Sequence, residues 1–100
     1  MYSIVVKFAQ SILANEPFTN EFALKIYPNP TQNDLSVSFE GKNQEHFEVT
    51  IYDLSGRIMV NQMVESKINN TISIKKMNTG IYFLRLSNGE KQVIQKIVKE

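Results

Sequence analysis

The chain has 100 residues, of which 42% are hydrophobic and 21% are charged, proportions that are typical of one globular domain with a single modest core. Eleven Lys and Arg residues against ten Asp and Glu residues give a net charge of +1, which excludes the strongly basic surface on which nucleic-acid binding depends. The chain contains no Cys, which excludes a disulfide framework and a thiolate zinc site. No run approaches the roughly 18 to 20 apolar residues of a membrane span.

Residues 1–23 differ in pattern from the rest of the chain. Five apolar side chains fall roughly on one helical face: Ile4, Val5, Phe8, Ile12 and Leu13. The segment lacks a basic start, and Lys7 and Gln10 interrupt its apolar run, so we do not expect a secretory signal here. An export signal would then belong to a longer parent chain. We place a boundary near Asn20 and interpret residues 1–23 as a linker, the remnant of a preceding domain or a short helix that covers the next domain.

From residue 24 onward apolar and polar residues alternate, which is the pattern of strands whose successive side chains point to opposite faces. Leu24 and Ile26 begin the pattern, and the segment Pro28-Asn29-Pro30 then interrupts it, because proline removes a ladder donor and fixes the backbone. This segment predicts a turn or a crossing at a sheet edge. Further strands are predicted at residues 35–40 and 47–52.

The clearest hairpin signal is the turn Asp53-Leu54-Ser55-Gly56, which leads into an extended run that starts at Arg57. The Asp53 carboxylate can accept backbone hydrogen bonds across the turn, and Gly56 can adopt the positive φ that closes a four-residue loop.

Three more strands are predicted in the last third of the chain. Residues 71–75 alternate, and Asn78-Thr79-Gly80 then turns the chain into the strand at residues 81–87. Asn88-Gly89 is a two-residue hairpin signal, so the segment 91–98 is expected to pair antiparallel with the preceding strand. A helical pattern also fits the last segment, but its β-branched residues favour a strand.

Seven short strands without intervening helices predict an all-β fold, an antiparallel β-sandwich of immunoglobulin-like size that occupies residues 24–100. The Cys and Trp hallmarks of antibody domains are absent.

The sequence offers no set of residues for catalysis or for binding a cofactor or metal. His46 is the one histidine, and with no second His and no Cys to complete a metal site it is expected at a surface or strand edge. There is no Gly-x-Ser-x-Gly elbow, no calcium loop and no Gly-rich phosphate loop. We therefore do not expect an enzyme, and we expect no cofactor.

Outward-facing tyrosines would offer a different function, because aromatic rings provide stacking surfaces for sugars. The four candidates are Tyr2, Tyr27, Tyr52 and Tyr82. The alternative is thus an accessory carbohydrate-binding or adhesion module of a secreted protein, which an exposed tyrosine strip would favour and buried tyrosines would oppose.

Three stretches, in their order along the chain, carry a family resemblance. They are LKIYPNPTQNDLSVSF at residues 24–39, VTIYDLSGRIM at 49–59 and MNTGIYFLRLSNGEKQVIQKIVKE at 77–100. In this order they resemble the type A C-terminal sorting domains of the type IX secretion system, and the resemblance spans roughly residues 21–100.

The resemblance implies a small β-sandwich at the end of an exported protein that the outer-membrane translocation machinery recognises in the periplasm. It further implies that a sortase-like peptidase removes the domain, here near residues 15–24, so that the cargo is released or is joined to a lipopolysaccharide at the cell surface. The implied partners are therefore the machinery and the peptidase. The implied locations are the periplasm in transit, and then the cell surface or the medium.

The family pattern falls on ten positions: Pro28, Asn29, Pro30, Asp53, Gly56, Arg57, Gly80, Tyr82, Leu84 and Lys96. Most have a structural explanation, since prolines and glycines shape turns and alternating apolar residues enter the core. Arg57, Lys96 and Lys99 are expected to be exposed cations, which add little to stability and so are candidates for partner contact. The exposed edge of the last strand is a second recognition route, because its unpaired backbone groups can accept a strand from the machinery.

Overall fold

A computed structural model describes residues 22–42 and 45–100, so the interpretation of residues 1–21 lies outside the described part of the chain. In the described part, the segments in which apolar and polar residues alternate form strands. The strands are β1 Lys25–Tyr27, β2 Asp34–Ser38, β3 His46–Tyr52, β4 Ile58–Glu65, β5 Asn70–Ser73, β6 Gly80–Ser87 and β7 Gln92–Lys99.

The seven strands form two sheets, one of three strands in the order β1-β2-β5 and one of four in the order β4-β3-β6-β7. Every pair of neighbouring strands is antiparallel. The predicted all-β sandwich of about seven strands is therefore confirmed, and so is the choice of a strand over a helix for the last segment.

The core lies between the two sheets, where the apolar members of each alternating strand meet. Its fully buried side chains come from both layers: Leu35, Val37, Phe47, Val49, Ile51, Ile72, Ile74, Leu84, Leu86 and Ile97. Burying one such side chain contributes roughly 1.5–3 kcal/mol. At one end Phe22 meets the Phe47 ring edge-on at a centroid distance of 4.9 Å, so the start of the described chain is fixed to the core.

The β3–β4 hairpin has the predicted turn chemistry. The Asp53 Oδ1 atom accepts hydrogen bonds from the backbone N–H groups of Ser55 and Arg57, both at 2.9 Å, and from the Ser55 hydroxyl at 2.6 Å. Gly56 has a φ of 87°, a conformation that glycine adopts without the cost a side chain would add. Its N–H donates to the Asp53 carbonyl at 3.0 Å and closes the loop.

The β6–β7 hairpin pairs as predicted, but its turn is different. Ser87 pairs with Gln92, so the connection is four residues long rather than the two of Asn88-Gly89. Only Gly89 has a positive φ, of 95°. The Asn88 Oδ1 atom instead accepts from the backbone N–H groups of Glu90 and Lys91 at 2.9 and 2.8 Å, because an Asn side chain readily forms a local turn of its own.

Asn70 ties the two sheets together beside the open edge of β4. Its Oδ1 atom accepts from the Glu65 N–H at 3.1 Å, and its Nδ2 atom donates to the Glu65 carbonyl at 2.9 Å. The same amide donates to the Val37 carbonyl of β2 at 3.1 Å. One side chain thus occupies backbone groups at the end of β4 and fixes them to the opposite layer.

Candidate recognition site at one end of the sandwich

The Pro28–Pro30 segment crosses from the three-stranded sheet to the edge of β7 and binds it. The Asn29 amide donates from Nδ2 to the Lys96 carbonyl at 3.1 Å, and its Oδ1 accepts from the Val98 N–H at 3.0 Å. Thr31 continues the contact, since its N–H donates to the Val98 carbonyl at 2.9 Å and its carbonyl accepts from the Glu100 N–H at 2.8 Å. We call these four hydrogen bonds the β7 clamp. They confirm the predicted edge crossing.

The clamp corrects the expectation that the edge of the last strand is exposed along its length. From Lys96 to Glu100 the outward backbone groups are already bound to Asn29 and Thr31. A strand from a partner would therefore have to displace the clamp there. Among the described residues only the first half of the β7 edge, near Gln92 and Ile94, is left for such pairing.

Strand register brings the family-pattern positions to one end of the four-stranded sheet. Tyr52 at the end of β3 is opposite Phe83 in β6, and Phe83 is opposite Lys96 in β7. The Asp53–Arg57 turn follows Tyr52 at the end of β3. Gly80 at the start of β6 pairs with Lys99 near the end of β7. The turn, Gly80 and the clamp therefore share one end of the sheet, which we call the motif end.

Two of the three candidate cations are exposed at the motif end, and the third is not. Lys96 is exposed, and the Arg57 side chain is 73% exposed although its Nε lies 3.1 Å from Asp53 Oδ2. Lys99 is only 8% exposed, so the expectation for it is wrong. The reason is strand parity, because Lys99 shares the inward side of β7 with Ile97. The Lys99 Nζ atom donates to the Glu100 carbonyl at 3.1 Å.

The carboxylate of Asp53 is held in its charged form. The hydrogen bond from the Ser55 hydroxyl lowers the pKa of Asp53 most, burial opposes it, and the backbone N–H donors of Arg57 and Ser55 and the Arg57 charge lower it further. An anion stabilised in this way fixes the turn and orients the Arg57 guanidinium at the motif end.

The remaining pattern residues are built into the fold. Leu84 is fully buried and Tyr82 is 6% exposed, with the Tyr82 hydroxyl donating to the Asn78 carbonyl at 2.6 Å. Gly80 starts β6. The structure therefore separates the pattern into buried residues that shape the sandwich and exposed residues that a partner can reach.

Thr31 is a member of the β7 clamp that the sequence did not predict. It is 2% exposed, supplies two bonds of the clamp, and its hydroxyl donates to the Asp34 carbonyl at 2.9 Å. A polar residue directly after Pro-Asn-Pro is the one local signal, but its partners in β7 are distant in sequence.

The residues considered for other functions are placed as follows. His46 is the first residue of β3, is exposed, and has its Nε2 atom 3.3 Å from Glu65 Oε1 beside a shallow, open depression. Tyr52 and Tyr82 are buried, while Tyr27 is 47% exposed. The described residues thus form no tyrosine strip, which counts against the carbohydrate-binding alternative. In the same residues no three His, Asp or Glu side chains gather as a metal site would require.

The described chain also has no helix of the length and apolar character that crossing a membrane demands.

Comparison with known proteins identifies the family. A search of curated proteins found no match to this chain. A family model described as the secretion system C-terminal sorting domain matches residues 25–100, which cover all seven strands, the β7 clamp and the motif end. Because the match covers three-quarters of the sequence, the chain belongs to the family of C-terminal sorting domains of the type IX secretion system.

Proposed function

We propose that this domain is the signal by which type IX translocation machinery recognises a cargo protein, carries it across the outer membrane and presents it to a sortase-like peptidase that removes the domain. The family match over residues 25–100 is the observation that carries this proposal. The domain itself acts by being recognised, since its family is one of sorting signals and not of enzymes. The cut falls near residues 15–24, ahead of β1, and the cargo reaches the cell surface or the medium.

We further propose that the machinery contacts the motif end. Exposed residues assigned to the family pattern from three separate stretches lie at this end of the sandwich: Pro28, Pro30, Arg57 and Lys96. Exposed cations contribute little to the stability of a small domain but steer and orient a partner of opposite charge. The clamp supports this role because it fixes the Pro28–Pro30 segment against β7, so that the proline rings and the Lys96 side chain are presented together.

The sorting role is tested with a periplasm-directed fluorescent reporter that carries residues 21–100 at its C-terminus. The reporter is expressed in a bacterium with the type IX system and in a mutant that lacks the translocation machinery. We expect the reporter outside the outer membrane only in the intact strain, with a new C-terminus that locates the cut. A folded tag that leaves the reporter in the periplasm of both strains would refute the proposal.

The motif end is tested with charge reversals in the same reporter. Arg57→Glu combined with Lys96→Glu replaces two exposed cations, and Lys42→Glu is the matched control because Lys42 is exposed in the β2–β3 connection at the opposite end. Facing like charges across an interface costs several kcal/mol, so export of the double variant should fall by about tenfold or more. The control should be exported like the parent. Equal export of all three proteins would exclude this end as the contact surface.

A further inference from the structure

Strand β4 is paired on one side only, because it forms an edge of the four-stranded sheet. Glu65 shows which backbone groups point away from β3, since its N–H and its carbonyl both bind the Asn70 side chain. This direction alternates along an antiparallel strand, and the register with β3 is regular from Glu65 back to Val60. The N–H and carbonyl groups of Asn61 and Met63 therefore point outward too. Within the described residues, nothing bonds to them.

The β4 edge lacks the features that usually prevent one sheet from pairing with another, which are short length, charge, proline or a covering segment. Among the described strands, β1 and β5 have only three and four residues, and the open half of the β7 edge lies between Lys91 and Lys96. Strand β4 has eight residues, and residues 58–64 include no charge and no proline. Its register shift is confined to Met59, and Met63 is 60% exposed. This edge is therefore suited to accept another strand.

We propose that a second copy of this chain pairs with the edge, with the two β4 strands antiparallel about a two-fold axis at Gln62. The free groups are symmetric about this residue, because Asn61 and Met63 flank it. Asn61 of each protomer lies opposite Met63 of its partner, and each such pair exchanges both of its backbone hydrogen bonds. An axis at Met63 would set Asn61 against Glu65, whose backbone groups are already bound. An axis at Asn61 would set Met63 against the irregular position Met59.

The side chains along this pairing also fit a second copy. Val60 and Val64, which both contact the core, lie opposite each other across the axis, and the exposed Met63 lies beside Asn61 of the partner. No like charges meet, since residues 58–64 are uncharged. The pairing joins the two four-stranded sheets into one continuous sheet. Because a single pair of strands buries a small area, we expect a dissociation constant of roughly 10–100 µM.

This association is a property of the folded domain and goes beyond the sorting role. The experiments use the purified full chain without any secretion component, so their failure and a failure of the sorting proposal are distinguishable.

Sedimentation equilibrium tests the association. The mass should rise from 11.5 kDa toward twice that value between about 1 µM and about 1 mM protein. Met63→Pro removes an outward N–H that makes no bond within the described domain, and an edge strand tolerates proline at such a position, so this variant should stay folded and associate at least about tenfold more weakly. Met63→Thr keeps the N–H and should associate like the parent. A chain that stays monomeric at about 1 mM would overturn the proposal and leave the edge to a strand of another protein. Equal association of the two variants would also overturn it.

Disulfide cross-linking tests the register, since the chain has no Cys. The two copies of Gln62 form a non-hydrogen-bonded pair with Cα atoms about 4.5 Å apart, which is within the roughly 4.4–6.8 Å of a disulfide. Gln62→Cys should therefore give a covalent dimer when oxidised glutathione is added. Val60→Cys is the matched control on the same face, because its two copies are about 14 Å apart at about 3.4 Å per residue. If Gln62→Cys gives no dimer, or if Val60→Cys cross-links as fast, the proposal is wrong.

Discussion

The β7 clamp makes a quantitative prediction at Asn29. The variant Asn29→Ala removes two hydrogen bonds, of 3.1 and 3.0 Å, to the backbone of β7. Each hydrogen bond contributes roughly 0.5–1.5 kcal/mol net, and at an exposed site water replaces part of the loss. We therefore expect the free energy of unfolding to fall by about 1–2 kcal/mol, and the melting temperature by about 4–8 °C for each kcal/mol.

Urea unfolding checks the magnitude, and amide hydrogen exchange checks the location. The midpoint should fall with an unchanged slope, and the Val98 N–H should lose protection because its acceptor is the Asn29 side chain. Asn33→Ala is the control, since Asn33 is equally exposed in the same connection and a surface change of this kind stays within about 0.5 kcal/mol. If the two variants lose the same stability and Val98 stays protected, the clamp does not hold the strand.

Three further predictions concern the turns and the contact between the sheets. Because the folded state lowers the pKa of Asp53, its stabilising effect is complete above the ordinary value of about 4 and is lost as the pH falls below it. Urea midpoints measured down to about pH 3 should therefore fall less steeply in Asp53→Asn than in the parent, and an equal fall in the two proteins would contradict this account. Gly89 has a φ of 95° and open space around an added methyl group, so Gly89→Ala should lower the free energy of unfolding by about 1 kcal/mol, measured by urea unfolding, and Gly89→Asn should lower it less, because Asn tolerates positive φ. Equal losses in the two variants would show that the positive φ is not the cause. Asn70→Ala removes bonds to backbone groups of both sheets and should lower the free energy of unfolding by about 2 kcal/mol. Ser73→Ala, at an exposed position of the same strand, should stay within about 0.5 kcal/mol; similar losses would mean that Asn70 does not join the layers.

Local chemistry explains which parts of the structure the sequence predicts. Alternation determines the strands because a strand turns successive side chains to opposite faces, so Leu35 and Val37 had to face one layer. The Asp53 turn is equally local, since its acceptor and its donors lie within four residues of one another. Both features are decided by neighbours in the chain, and both were predicted correctly.

Contacts between segments that are distant in the chain were harder to predict from the sequence. The bond between Asn29 and Val98 joins residues that are 69 positions apart, and no local pattern encodes such a pairing. The burial of Lys99 could have been predicted from the sequence, because Lys99 is two positions after Ile97 on the same face of β7 and Ile97 lies in the core. That error came from judging a residue type by its charge instead of its position on the strand.

The clamp also determines how an export defect must be interpreted. Asn29 is one of the positions that the sequence resemblance assigns to the family pattern, yet its side chain is bound to β7, so Asn29→Ala alters the fold and the presentation of the motif end together. Lys96 contributes its carbonyl to the clamp while its side chain is exposed, so Lys96→Glu changes the surface and leaves the clamp in place. Loss of export in a Lys96 variant of unchanged stability would therefore identify recognition, whereas the same loss in an Asn29 variant would not.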